Sequence, residues 1–115
     1  METLINIELN LMNIGLSEIQ VEKMQTIFSK YLEVESAILF GSRAKGNFRN
    51  NSDIDIVLNG DISLTIRNKI FNDLEELDLP CEIDLIIFDK IDNQELIKHI
   101  ENVGISLFDR NENPQ

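Results

Sequence analysis

Hydrophobic positions along the chain change period from helical to alternating, and this change predicts helices and strands in turn. Residues 17–32 carry apolar side chains at helical intervals, and Ser17 with Gln20 has the spacing of a capping box. Residues 36–40 form a short apolar run that stops at Gly41, which is typical of a buried strand. The first third of the chain is therefore predicted to form a helix followed by a strand.

The middle of the chain repeats the two kinds of element in the order strand, helix, strand. Residues 53–58 alternate polar and apolar side chains, as a half-buried strand does. Ser63 is suited to cap a helix that runs from residue 64 to about 77 and cannot continue through Pro80. The apolar run at residues 82–88 predicts a third strand.

The last third of the chain supplies one more helix and one more strand. Asp92 or Asn93 is suited to cap a helix that ends near Gly104, and residues 105–108 predict a short edge strand. The complete order is helix, strand, strand, helix, strand, helix, strand. It indicates a small α/β (α+β) domain with a mixed sheet flanked by helices.

Length and composition are those of one small globular domain. The chain has 115 residues, of which 43% are hydrophobic and 27% charged, so it is too apolar for a disordered acidic tail. We expect one domain over residues 1–110, with a short helix at 2–14 closed by Gly15, and a frayed polar tail at 111–115. No apolar run approaches the roughly 18 residues that span a bilayer, and an acidic residue follows the first methionine where a secretory leader would be basic. These features predict a cytoplasmic protein with no membrane partner.

The single cysteine and single histidine exclude several kinds of site. Cys81 cannot form a disulfide within the chain or a Cys-rich zinc site, and His99 cannot form a His pair for a metal. Cys81 is expected to be a packed thiol, because no nearby cation in the sequence would lower its pKa. His99 lies in a polar helical segment and is expected at the surface, without a role.

The distribution of charge matters more than the formal net charge of −11. Residues 36–72 hold five cations and three acids, whereas the other 78 residues hold five cations and eighteen acids. The acidic majority would repel a nucleic-acid backbone, so no direct nucleic-acid partner is expected. Residues 36–52 contain no acid at all, and a small anionic ligand could bind there.

The segment that joins the first two strands contains residue types suited to phosphate. It reads Gly-Ser-Arg-Ala-Lys-Gly at residues 41–46. Gly41 at a strand end, followed by Ser42, allows backbone N–H groups to approach a ligand closely, and the N-terminus of any helix beginning there would favour phosphate. Arg43 adds a cationic donor, as do the basic residues that follow it.

Three aspartates are predicted to meet on adjacent strands. Asp53 and Asp55 are separated by one residue, so their carboxylates project from the same face of a strand. Asp84 lies within an apolar strand, where a carboxylate needs a partner or a metal. If the second and third strands are neighbours, the three carboxylates converge and are suited to two Mg²⁺ ions roughly 3.5 to 4 Å apart.

In this order, the Gly-Ser motif, the Asp-x-Asp pair and the later Asp resemble the minimal nucleotidyltransferases, the smallest members of the DNA polymerase beta superfamily. The resemblance extends over about residues 16–110. It implies a polymerase-beta-like fold in which Gly41 and Ser42 contact a triphosphate and Arg43 is a further phosphate contact. Ser52, directly before the Asp pair, is assigned to the same nucleotide site.

The resemblance also assigns roles to the acids. Asp53 and Asp55 would bind the metals, and Asp84 would bind the catalytic metal and help to activate the nucleophile. The implied reaction is transfer of AMP from Mg-ATP to an acceptor hydroxyl, with release of pyrophosphate. Because the metal lowers the pKa of the acceptor, no histidine base is required.

Many such small proteins resemble antitoxins whose partner is a HEPN-domain ribonuclease toxin, and this resemblance implies adenylylation of a tyrosine on that partner. One alternative is a non-catalytic antitoxin that neutralises its partner by occlusion. Another is nucleotidylation of a small molecule such as an antibiotic, which the missing acceptor domain disfavours. Outside the motif, Arg67 and Lys69 either extend the basic face toward a phosphate or face solvent, and Glu82 is expected at a solvated edge.

Overall fold

A computed structural model describes residues 14–112 of the chain as a four-stranded sheet with helices on both faces. Its regular elements, in chain order, are α1 (Glu18–Lys30), β1 (Val34–Phe40), α2 (Gly41–Lys45), β2 (Ile54–Gly60), α3 (Leu64–Glu75), β3 (Ile83–Ile87), α4 (Gln94–Val103) and β4 (Ile105–Asp109). Two short 3₁₀ turns lie at Phe88–Lys90 and Arg110–Glu112.

The predicted order of long helices and strands is confirmed, and the mixed α/β fold with it. The short helix α2, which directly follows β1, is an additional element. The helix predicted at residues 2–14 lies almost wholly outside the described residues, as do residues 113–115 of the predicted tail. Among residues 14–112, no helix combines the length and the apolar character that crossing a membrane requires.

Side-chain caps set where the helices begin. Ser17 and Gln20 form both hydrogen bonds of a capping box at the start of α1, as their spacing predicts. The Ser63 hydroxyl accepts a hydrogen bond from the first turn of α3. At α4 the cap is Asn93 rather than Asp92, because the Asn93 side chain accepts from two backbone N–H groups of the first turn.

The strand order across the sheet is β3, β2, β1, β4. Strand β1 is antiparallel to both of its neighbours, whereas β2 and β3 run parallel. The register places Asp55 opposite Phe40 of β1 on one side and opposite Asp84 of β3 on the other. The end of β1 and the starts of β2 and β3 therefore meet at one place.

The alternation along the strands divides the apolar side chains between two faces of the sheet. The larger cluster lies under α1 and α3 and includes Ile54, Ile56 and Leu58 of β2. The smaller cluster lies on the face of α4, where Val57 packs with Phe40 and Ile100. Asp55 has the same strand parity as Val57, so its side chain lies on the face of α4.

Candidate active site

The predicted juxtaposition of aspartates on the second and third strands is present. Asp55 and Asp84 are directly paired across the parallel strands β2 and β3, and Asp53 lies one residue before β2. Asp53 and Asp84 are exposed and Asp55 is half-buried. Burial, reinforced by the negative charges of Asp84 and Asp53, raises the pKa of Asp55 to about 6, while the Arg43 cation opposes the rise. The negative charges of Asp84 and Asp53 thus both act on Asp55.

The donor set has the chemistry that a hard divalent cation requires. The carboxylates of Asp53, Asp55 and Asp84 supply only oxygen, and their mutual repulsion would be relieved by a positive ion. Within residues 14–112, no three acidic, imidazole or thiol side chains are grouped closely enough to hold a metal ion, so the expected convergence of carboxylates is met for Asp55 and Asp84 alone. Mg²⁺ usually binds through one or two carboxylates and completes its shell with water and substrate phosphates, so an open set of this kind fits it.

Gly41 brings the backbone close to these carboxylates. It is the first residue of α2 and has φ of 78°, a left-handed conformation that favours glycine. A Cβ atom built at this position would collide with the carboxylate of Asp55. The chain therefore turns from β1 into α2 directly against Asp55, and the half-buried Ser42 follows within the same turn.

His99 takes part in this turn, which the sequence did not predict. Its Nε2 accepts a hydrogen bond of 3.0 Å from the backbone N–H of Gly41, and its ring contacts Phe40 edge-on. His99 is half-buried, so the expectation that it lies at the surface is wrong. Because 58 residues separate His99 from Gly41, no local pattern in the sequence signals the contact.

Arg43 corrects a second expectation, because it faces the protein interior rather than a phosphate. Its side chain is only 2% exposed. The guanidinium donates to backbone carbonyls on two segments and to the Cys81 sulfur, and it lies over the Phe48 ring. The carbonyl partners are those of Ile14, Gly15, Asn50 and Ser52. These contacts occupy its donors, so Arg43 organises the loop between α2 and β2.

Ser52 closes that loop. Its hydroxyl accepts a hydrogen bond of 2.7 Å from the Arg49 N–H, and its carbonyl accepts from Arg43. Ser52 is half-buried and directly precedes Asp53. The loop is thus held in a shape that delivers Asp53 to the start of β2.

The comparison with known families decides what kind of domain carries this arrangement. Residues 22–113 match the family described as polymerase beta, nucleotidyltransferase. The chain belongs to this nucleotidyltransferase family. A search of curated proteins found no match.

Solved structures share the fold of this nucleotidyltransferase at low sequence identity. A toxin-antitoxin crystal structure with AMP-PNP is 24% identical, with a TM-score of 0.61, over 80% of this chain and 73% of the other. The Shewanella oneidensis complex of a tri-AMPylated HEPN toxin with its MNT antitoxin is 18% identical, with a TM-score of 0.61, over 83% and 74% of the two chains. For a putative nucleotidyltransferase from Sulfolobus solfataricus the identity is 17%, the TM-score 0.54 and the coverage 92% and 88%.

Residues flanking the site of the nucleotidyltransferase have structural contacts of their own. Arg67 faces neither a phosphate nor open solvent: it donates two hydrogen bonds to the carbonyl of Leu85 and lies over the Phe71 ring. Lys69 and Glu82 are exposed, as expected for a solvated edge at Glu82. Cys81 is half-buried and packs against the core, as expected, but the expectation that no cation lies near it is wrong, because Nη2 of Arg43 donates to its sulfur at 3.0 Å.

Proposed function

We propose that this nucleotidyltransferase transfers AMP from Mg-ATP to a hydroxyl of a protein partner of the HEPN toxin class, and that it acts as the antitoxin of that partner. The observation that carries the proposal is the parallel register of Asp55 with Asp84, directly beside the Gly41 turn. The similar structures with AMP-PNP and with a tri-AMPylated HEPN toxin support the choice of nucleotide and partner.

The proposed reaction is an in-line displacement at the α-phosphorus of ATP. The acceptor oxygen forms a new bond to that phosphorus, and the bond from the phosphorus to the oxygen that bridges to the β-phosphate breaks. Pyrophosphate leaves with the electron pair of the broken bond. The proton of the acceptor hydroxyl passes to a carboxylate of the site, for which the exposed Asp84 is our candidate.

Different residues of the chain are proposed to bind the triphosphate and the metal. The turn of Gly41 and Ser42 is proposed to hold the triphosphate through the backbone N–H groups that follow Gly41, because the Gly41 N–H itself is bonded to His99. Asp53, Asp55 and Asp84 would hold Mg²⁺. When bound, the metal neutralises charge on the phosphates and lowers the pKa of the acceptor hydroxyl.

The charge distribution supports a protein acceptor. Outside residues 36–72 the chain carries eighteen acids and five cations, a surface suited to a basic partner. Association steered by such charges slows as salt increases, because exposed charges are screened. We expect the rate of complex formation to fall with ionic strength, and an association rate that is insensitive to salt would remove this support.

The decisive experiment combines the full chain, ATP, Mg²⁺ and the protein encoded by the neighbouring gene. Intact-mass spectrometry is expected to find one or more adenylyl groups on the partner. Asp55→Asn and Asp84→Asn should each abolish the modification. Asp61→Asn makes the same change of charge at an exposed position outside the site and should leave the modification intact.

The same variants separate the proposal from its alternatives. If Asp55→Asn and Asp84→Asn still neutralise the partner in cells, occlusion rather than catalysis explains the antitoxin effect. If the isolated chain adenylylates an aminoglycoside but not the partner, the acceptor is a small molecule. An unmodified partner in the presence of ATP and Mg²⁺ would contradict the proposed reaction.

A further inference from the structure

We infer that His99 is a positioning residue for the phosphate-binding turn of Gly41 and Ser42. The inference rests on the proposed function, because it assigns that turn to the triphosphate. His99 touches no reacting group in this arrangement. It acts on the backbone of Gly41, which in turn sets the direction of the amides that follow.

The imidazole of His99 is fixed by two consecutive residues, the last of β1 and the first of α2. The ring meets Phe40 nearly at a right angle, with an interplanar angle of 82° and 6.2 Å between ring centroids. Its Nε2 accepts from the Gly41 N–H at 3.0 Å. An accepting Nε2 carries no proton, so the neutral ring has its proton on Nδ1.

The hydrogen bond to His99 restricts Gly41, whose backbone dihedral angles are less restricted than those of other residues. A glycine populates both signs of φ readily, and at 78° Gly41 lies where other residues seldom do. The Asp55 carboxylate blocks the side of the glycine where a Cβ atom would stand. The bond to His99 fixes the amide of the same residue, so Gly41 is held between α4 and β2.

The bond from Gly41 to His99 matters because the Gly41 amide lies at the start of α2. The first N–H groups of any helix lack partners within the helix, and the Gly41 N–H is the first of α2. His99 accepts from that group, which fixes the peptide plane between Phe40 and Gly41, one peptide before the amide of Ser42. The proposed phosphate contacts then start from a backbone of set orientation rather than from a mobile turn.

Three substitutions at position 99 test the inference. His99→Phe keeps a ring against Phe40 but removes the acceptor, and His99→Asn is too short for its amide oxygen to reach the Gly41 N–H. His99→Gln can place an amide oxygen close to where Nε2 stands. We expect the Kd of a non-hydrolysable ATP analogue with Mg²⁺, measured by calorimetry, to rise about tenfold for His99→Phe and His99→Asn and at most about twofold for His99→Gln.

A second measurement separates positioning from loss of fold. The melting temperature of each variant is recorded, and the KM for ATP and kcat are measured with the partner. A merely structural role would lower the active fraction and kcat and leave KM unchanged, whereas a positioning role raises KM, with rescue by His99→Gln. Equal nucleotide affinity in wild type, His99→Phe and His99→Asn would overturn the inference.

The spectrum of the nucleotide-free protein gives a test that is independent of activity. In ¹⁵N-resolved spectra we expect the wild-type His99 ring in the Nδ1–H form and a Gly41 amide signal that shifts in His99→Phe but much less in His99→Gln. A wild-type protein that binds the analogue but never transfers AMP would refute the proposed function. The inference would then be decided by the analogue Kd values and by these spectra, which do not depend on AMP transfer. If the Gly41 amide signal does not shift in any of the three variants, the inference is refuted, whereas the proposed function is not affected.

Discussion

Asp55 and Asp84 stand directly opposite each other on parallel strands, with Asp53 close enough to add its charge to theirs. In the protein without metal this arrangement works against the folded state, because the pKa of Asp55 is about 6, above its ordinary value of 3.8. An acid with a raised folded-state pKa destabilises the fold as pH rises from the ordinary value through the raised one. The site is thus built at the expense of stability.

The first prediction follows from the destabilising effect of the charged Asp55. Asp55→Asn removes the unfavourable charge, so the metal-free variant should melt at a higher temperature than wild type at about pH 8 and at nearly the same temperature at about pH 3.5. Thermal unfolding followed by circular dichroism at the two pH values provides the measurement. Asp61→Asn, exposed and outside the site, should change neither value. A lower melting temperature for Asp55→Asn at about pH 8 would contradict the prediction.

The second prediction concerns two glycines with similar backbones and different surroundings. Gly41 and Gly46 have φ of 78° and 89°. A Cβ atom at Gly46 would meet nothing within 4 Å, whereas one at Gly41 would collide with Asp55. Gly46→Ala should therefore lower the free energy of unfolding by about 1 kcal/mol, because alanine disfavours a positive φ, and the variant should keep most of its activity.

Gly41→Ala must also displace the Asp55 carboxylate or the turn itself. We expect it to lose about 2 kcal/mol or more and to abolish AMP transfer. Denaturant unfolding and the mass assay on the partner measure the two effects. If the two alanine variants proved equally stable and equally active, the close approach of Gly41 to Asp55 would have no consequence.

The third prediction tests the interior role of Arg43. Its guanidinium reaches acceptors on several segments at once, whereas an ammonium group has three donors on a single nitrogen. Arg43→Lys should therefore leave buried carbonyls unsatisfied and lower the free energy of unfolding by about 3 kcal/mol. Arg49→Lys, at an exposed position in the same loop, should stay within about 0.5 kcal/mol of wild type. A lysine at position 43 that left stability unchanged would show that the carbonyls find other partners.

The fourth prediction uses the only tyrosine of a chain that has no tryptophan. The Tyr31 hydroxyl donates to the Asp73 carboxylate at 2.6 Å, and this hydrogen bond is the main cause that raises the pKa of Tyr31 to about 12. Asp73→Ala should bring the pKa back toward 10, as read from tyrosinate absorbance during an alkaline titration. Glu75→Ala, on the same helix and exposed, should leave the titration unchanged.

The same bond has a consequence for alkaline stability. Because the folded state holds the Tyr31 proton more tightly than the unfolded chain, the stability from this contact is complete below about pH 10 and is lost as the pH rises to about 12. Over this pH range, the free energy of unfolding should therefore fall less in Asp73→Ala than in wild type. An identical absorbance titration in the two proteins would exclude the bond between Tyr31 and Asp73 in solution.

Local chemistry accounts for what could be predicted from the sequence. The capping box of Ser17 and Gln20 and the cap at Ser63 form as their spacing predicts, because a cap depends on residues three apart. The approach of Asp55 to Asp84 needed only that their strands be neighbours. A regular period and a short motif were enough in these cases.

What could not be predicted depends on partners far apart in the chain. Arg43 in a basic loop has the same local sequence whether it meets a phosphate or the carbonyls of Ile14 and Ser52. His99 gains its contact only because α4 packs where β1 ends, and no spacing in the sequence encodes that packing. The choice of Asn93 over Asp92 as a cap was likewise open, because either side chain offers an oxygen in the right region.

The two hydrogen bonds from Arg67 to Leu85 have a consequence for how copies of the chain meet. Among residues 14–112, strand β3 has β2 on one side and no strand on the other. Because the Ile54 N–H donates to the carbonyl of Glu82, the carbonyl of Leu85 points to the open side. Such an open side is a template on which another chain can add a strand. A strand arriving there must first displace the Arg67 guanidinium from the carbonyl of Leu85, so these two hydrogen bonds oppose the addition of a strand at this edge.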